Sequence, residues 1–216
     1  MILYMLLLLL TALLAYPMGS ISTLRVASRY VFRRNLMKLG GTDSLWFSNF
    51  RRLYKIPGIL KLLAVELVKD LIPILFGALL LGFKGHADVG RAFAAFCLMM
   101  GRLWPMFNSF RGCRGSLPLI VCCFALSPTA GLLSLLTVAL VTWFSRYPSL
   151  GAAVGGVVSV FAVLIAVDGR IATLLGVGFC LMVVIRNIPG MRRIAAHEEE
   201  RIDLQLDISY KFDEKF

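Results

Sequence analysis

Gly112-Cys113-Arg114-Gly115-Ser116 stands directly ahead of Leu117-Pro118, which reads as a helix start. Glycines beside a basic residue let successive backbone N–H groups converge on an anion, and the helix N-terminus adds partial positive charge. Ser116 suits an N-cap and Pro118 a first turn. Arg114 supplies one fixed charge and Arg111 a second. The chemistry on offer is the holding of a phosphate. A flexible basic turn beside lipid headgroups is the plainer alternative, and spacing alone leaves the two open.

A second group is Glu66, Lys69 and Asp70, whose i, i+3 and i, i+4 spacing puts them on one helix face inside an apolar run. A charge at mid-bilayer costs roughly 2.5–3.5 kcal/mol unless it faces the bundle or water. An inward-packed structural pair is the leading reading, ahead of a substrate-pocket wall and of ion coupling. The histidines, His86 and His197, sit in no motif and read as solvated. Cys97, Cys113, Cys122, Cys123 and Cys180 show no C-x-x-C spacing and read as structural thiols, with neither a disulfide framework nor a metal site. Met99, Met100, Trp104, Met106 and Phe107 suit interfacial packing, and Arg25, Arg29, Arg33 and Arg34 suit anionic lipid headgroups.

The elements that must carry these residues are set by composition. Hydrophobic residues make up 59% of the 216 and charged ones 16%, against roughly 45–50% and about 25% in soluble domains. Mean hydropathy is +0.82. Too little polar surface exists to face water on every side, so the chain reads as an all-α, multi-pass protein of the cell membrane. The net charge of +11 would suggest nucleic acid in a soluble protein. Here the basic residues fall between apolar runs, as in cytoplasmic membrane loops, and no nucleic acid is expected.

Apolar runs cover 2–17, 56–83, 89–100, 117–144, 150–167 and 171–185. The first lacks a preceding Lys or Arg, so it reads as a retained span rather than a cleaved signal. Ser127-Pro128 with Gly131 is a turn signal inside the fourth. Splitting there gives seven spans, with the N-terminus outside and the C-terminus cytoplasmic. Eighteen of the 23 basic residues then share the cytoplasmic side, as positive-inside placement prefers. The expected layout is a membrane domain over 1–196, with cytoplasmic loops 19–55, 102–116 and 186–196, and a cytoplasmic tail over 197–216.

Gly101-Arg102-Leu103-Trp104-Pro105-Met106-Phe107, then Phe110 and Gly112-Cys113-Arg114-Gly115, resembles the second motif of the bacterial acyl-phosphate:glycerol-3-phosphate acyltransferases, the PlsY family. That motif reads roughly G-H-x-[FY]-P-x-F-x-x-F-x-G-G-K-G. Gly19-Ser20-Ile21-Ser22 falls where the family has G-S-[IL]-[PS], and Glu66-Leu67-Val68-Lys69-Asp70 resembles its D-x-x-K-G. Ser127-Pro128, Ser145-Arg146-Tyr147-Pro148 and Arg186-Asn187-Ile188 follow in step, so the likeness spans about 1–200.

The resemblance implies transfer of an acyl group from acyl phosphate to the 1-hydroxyl of glycerol 3-phosphate, giving lysophosphatidate, with no cofactor. It makes Ser20, Arg114 and Asn187 the candidate catalytic residues. Gly19, Lys38, Arg102, Arg111, Gly112, Gly115 and Ser116 are the candidate substrate contacts. Three family positions differ: Met37 stands for the first-motif arginine, Arg102 for the second-motif histidine, and Val184 for the third-motif histidine. They favour weak turnover. The first alternative is a relative that binds acyl phosphate or phospholipid without turnover. A small-solute carrier built on Glu66, Lys69 and Asp70 is the second.

The tail alternates without a break through Ile202, Leu204, Leu206, Ile208, Tyr210 and Phe212. That period belongs to a strand. A lone strand needs an edge to join, so partner or self association is expected there, with a disordered tail as the alternative.

Overall fold

The computed structural model describes residues 2–33, 43–108 and 112–196. Among these the chain is helical: α1 (Ile2–Ser20), α2 (Thr23–Tyr30), α3 (Asp43–Gly82), α4 (Ala87–Leu103), α5 (Ser116–Leu126), α6 (Pro128–Ser145), α7 (Pro148–Ala166) and α8 (Arg170–Ala195), with a short 3-10 turn at Met106–Asn108. α3 is broken at Lys55, where φ is 52° and ψ −160°. The alternating segment of the tail lies outside the described residues.

The apolar runs understated the helices at the polar ends. α1 continues past Pro17 to Ser20, and α8 continues past Ile185 and Pro189 to Ala195. Residues 186–195, expected as loop, are therefore helix. An apolar run tracks the membrane interior, whereas backbone hydrogen bonding carries a helix on into water. At Ser127 the chain does turn: the residue is extended (φ −153°, ψ 133°) between the end of α5 and the start of α6.

Along α7 side-chain size runs opposite to that of a water-soluble core. The buried face of α7 is Ser149, Gly151, Ala152, Ala153, Gly155, Gly156, Ser159, Ala162 and Val163. Phe161 and Ile165 on the same helix are 61% and 87% exposed. In water so much exposed apolar surface would drive aggregation; in lipid it is the solvated face, and small residues let backbones approach. A Cβ on Gly19 would lie 2.2 Å from the Leu98 carbonyl oxygen, and one on Gly101 2.2 Å from that of Tyr16. α1 and α4 thus touch backbone to backbone. Among the described residues, α1, α6, α7 and α8 are each long and apolar enough to cross a membrane, with mean hydropathies of 2.1, 1.5, 2.2 and 2.1.

Alternate helix ends meet at opposite poles of the bundle. One pole gathers Gly112–Arg114 before α5, Ser149 at the start of α7, and Arg186–Arg193 near the end of α8. The other gathers Asp88 and Arg91 of α4, Leu126–Pro128 between α5 and α6, and Ala166–Asp168 between α7 and α8.

Candidate functional site

The loop ahead of α5 is held in place by two close approaches. A Cβ at Gly112 would lie 2.2 Å from the carbonyl oxygen of Leu103 and 2.4 Å from that of Arg102, so the loop backbone rests on the last turn of α4. Gly115 has φ 78°, and a Cβ there would lie 2.9 Å from Leu103 Cδ2. That left-handed residue, not Ser116, caps α5; Ser116 is the first helical residue, and no side-chain cap bond forms. Gly115 takes the cap position because its φ of 78° is open to glycine and strained for serine.

Beside this loop lies a cavity of about 250 Å³, lined by Gly112, Cys113, Arg114, Ser149, Arg186, Asn187, Pro189, Gly190 and Arg193. Three arginines line it and, among the described residues, no carboxylate does. The first turns of α5 and α7 end here, and the N-terminal partial charges of both helices favour an anion. Asn187 is buried and ties α8 to the loop: its Nδ2 donates to the Arg114 carbonyl and to the Val183 carbonyl, both at 2.8 Å. Those two acceptors fix the amide orientation and leave Oδ1 without a hydrogen-bond partner among the described residues. Oδ1 is itself enclosed, so the amide serves here as a tie between α8 and the loop. Arg186 Nη2 donates to the Gly112 carbonyl at 3.2 Å, a second tie between α8 and the loop.

Arg102 turns away from this cavity. Its guanidinium is 6% exposed and pairs with Glu66 of α3. It also donates to Thr23 Oγ1 at 2.9 Å and to the Ile21 carbonyl at 3.3 Å, and lies 3.5 Å from Asp70 Oδ2. Lys69 Nζ pairs with Asp70 Oδ1 at 3.0 Å and donates to the carbonyls of Ile21 (3.2 Å) and Met18 (3.3 Å). Two acids and two bases thus cancel in the interior, as buried charge requires. The inward-packed reading of Glu66, Lys69 and Asp70 agrees with their burial.

The structure therefore brings Gly112, Arg114 and Asn187 together at one cavity, with Gly115 and Ser116 directly behind. Gly19, Ser20 and Arg102 do not line it. Ser20 is buried and its hydroxyl donates to the Tyr16 carbonyl at 3.0 Å. Arg102, expected to contact substrate, is engaged by Glu66 instead. Lys38 and Arg111 lie outside the described residues. Ser149 and Arg193 were missed. Arg193 counted only as a basic residue after the last apolar run, although its seven-residue spacing from Arg186 is two helical turns. Of the histidines, His86 lies at the opposite pole, its ring edge-on to Tyr4 at 6.0 Å, and His197 is outside the described residues.

The family model described as glycerol-3-phosphate acyltransferase matches residues 9–197. The chain belongs to that family. Among curated glycerol-3-phosphate acyltransferases, the one from Francisella philomiragia is 27% identical over 189 residues, covering 87% of this chain and 89% of its own. That from Thermoanaerobacter pseudethanolicus is 23% identical over 199 residues, covering 92% and 98%. A crystal structure of PlsY, an integral membrane glycerol 3-phosphate acyltransferase, in its glycerol 3-phosphate form superposes with a TM-score of 0.72 at 21% identity, covering 94% of this chain and 99% of that one. Its lysophosphatidic acid form gives 0.70. The glycerol-3-phosphate acyltransferase fold, a multi-pass membrane bundle, is thus the fold of this chain.

Proposed function

We propose that this protein is a membrane glycerol-3-phosphate acyltransferase, using acyl phosphate as donor, and that the cavity beside the Gly112–Gly115 loop holds the reacting phosphates. The observation that carries the reading is the meeting of three arginines and two helix N-termini at one recess that no carboxylate among the described residues lines. The 1-hydroxyl of glycerol 3-phosphate attacks the acyl carbon, the C–O bond to phosphate breaks, and inorganic phosphate departs with the hydroxyl proton. In that step the protein supplies charge and position: Arg114 and the loop N–H groups hold phosphate oxygens, and Asn187 fixes the loop against α8 through the Arg114 carbonyl. Ser20 and Arg102 act from behind, within the frame that supports α4.

The membrane domain spans 1–196, with the tail 197–216 and the cavity on the cytoplasmic side. Two features support this topology: the gathering of alternate helix ends at each pole and the placement of 18 of 23 basic residues on one side. Association through the tail, by strand addition of the backbone of residues 202–212 to a partner or a second copy, is part of the same proposal and rests on the alternation alone.

A second reading, binding without turnover, is favoured by two observations: Arg102 is locked to Glu66, and Val184 carries no titratable group where the family motif has histidine. The deciding experiment incubates protein in lipid with acyl phosphate and labelled glycerol 3-phosphate. Lysophosphatidate formed at about 1 s⁻¹ or faster, ordinary for enzymes, supports the acyltransferase. Saturable binding of either substrate without product supports the second reading, and no binding at all would sink both.

A further inference from the structure

Arg193 stands seven residues after Arg186 on α8, two turns along one face. Gly190 lies between them, about one turn from each, and adds no side chain to the face. All three line the cavity together with Arg114. α8 itself contains no acidic residue between Arg170 and Ala195. Among the described residues, the ion pairs join Glu66 and Asp70 to Arg102 and Lys69, and Asp88 to Arg91. Arg193 therefore lines a recess where no described carboxylate balances its charge. A helix C-terminus also attracts cations through its own dipole, but that would serve Arg192, exposed and absent from the cavity wall, as well as Arg193.

We propose that Arg193 is a substrate-binding residue of this site, gripping the dianion of a monosubstituted phosphate together with Arg114. The inference rests on the reading of the cavity as the phosphate site and adds to it a contact from the last turn of α8. Its ligand chemistry is shared by glycerol 3-phosphate and acyl phosphate. The residue is at the rim and exposed, so its contribution belongs at the low end for a charge-assisted contact, about tenfold in affinity.

The test uses the full chain in lipid nanodiscs, with inorganic phosphate as the binding probe and the KM for each substrate as the second readout. Arg193→Gln should weaken phosphate binding by about tenfold, and Arg193→Lys should restore much of it. Arg192→Gln should change it less than about twofold, and thermal midpoints should be alike for both glutamine variants, separating substrate binding from helix-end stabilisation. A rise in the KM for glycerol 3-phosphate alone would assign Arg193 to the acceptor's phosphate, and a rise for acyl phosphate alone to the donor's. Equal phosphate affinity in wild type and Arg193→Gln would overturn the role of Arg193 while leaving the cavity intact. Loss of affinity that follows a fall in thermal midpoint, or that Arg192→Gln reproduces, would overturn it too. Absence of phosphate binding by the wild-type protein would instead reject the cavity itself.

Discussion

Replacing Glu66 by glutamine removes one charge from a buried group of four while keeping the shape of the side chain. Arg102 would then keep Asp70 at 3.5 Å and the oxygens of Thr23 and Ile21, but Asp70 already serves Lys69 at 3.0 Å. One positive charge is left without compensation in an interior where Arg102 is 6% and Asp70 0% exposed. Breaking a buried pair by deleting one partner costs about 3–5 kcal/mol, because the other stays buried and charged. For a chain of this size about 1 kcal/mol moves the thermal midpoint by roughly 2–4 °C, so Glu66→Gln should lower it by roughly 6–20 °C. The double variant Glu66→Leu/Arg102→Met removes both charges and should recover most of that loss, since apolar replacements of buried pairs are often neutral or better. The assay is thermal unfolding in nanodiscs, followed by tryptophan fluorescence, on wild type, Glu66→Gln, and the cycle of Glu66→Leu, Arg102→Met and their double variant. Additive losses in the double variant, or a Glu66→Gln midpoint within about 2 °C of wild type, would refute the buried pair.

Gly112→Ala should displace the loop, because the new Cβ would meet the Leu103 and Arg102 carbonyl oxygens at 2.2 and 2.4 Å; phosphate binding should fall with little change in helix content by circular dichroism. Arg114→Ala should weaken phosphate binding by about tenfold or more, whereas Lys84→Ala, beyond the end of α3 at the opposite pole, should not. In a Cys113→Ser background, Ser145→Cys and Asp168→Cys should react with impermeant thiol reagents from opposite faces of sealed vesicles, and reaction from one shared face would break the seven-span reading. Truncation after Arg201 should preserve insertion and abolish any tail-mediated association, read by light scattering in detergent.

Local spacing made some of this legible in the sequence. Glu66, Lys69 and Asp70 share a face by helical arithmetic alone, and their burial follows. The turn at Ser127-Pro128 and the loop ahead of α5 were marked by glycine and proline, whose backbone limits act within a few residues. Pairings between distant elements were not legible. Arg102 meets Glu66 across 36 residues, and no i, i+4 rule reaches that far, so Arg102 read as a substrate contact. Arg193 was hidden because the last helix was ended with its apolar run at Ile185, which placed the residue in a loop of undefined direction. Asn187 was found through a motif, but its two carbonyl acceptors depend on how α8 packs against the loop.

The thin side chains along the inner face of α7 and at the crossing of α1 with α4 leave a mark on how this sequence can drift. Where Gly19 and Gly101 set backbone against backbone, any added carbon must push two helices apart, and with them the loop resting on the end of α4. On the outer faces Leu, Ile, Phe and Val meet only lipid tails, which accept one apolar shape as readily as another. Substitution should run freely among large apolar residues at positions such as Phe161 and Ile165 and stall at glycine, alanine and serine one turn away. A library of variants sorted for membrane expression would then trace the helix–helix seams as its silent positions.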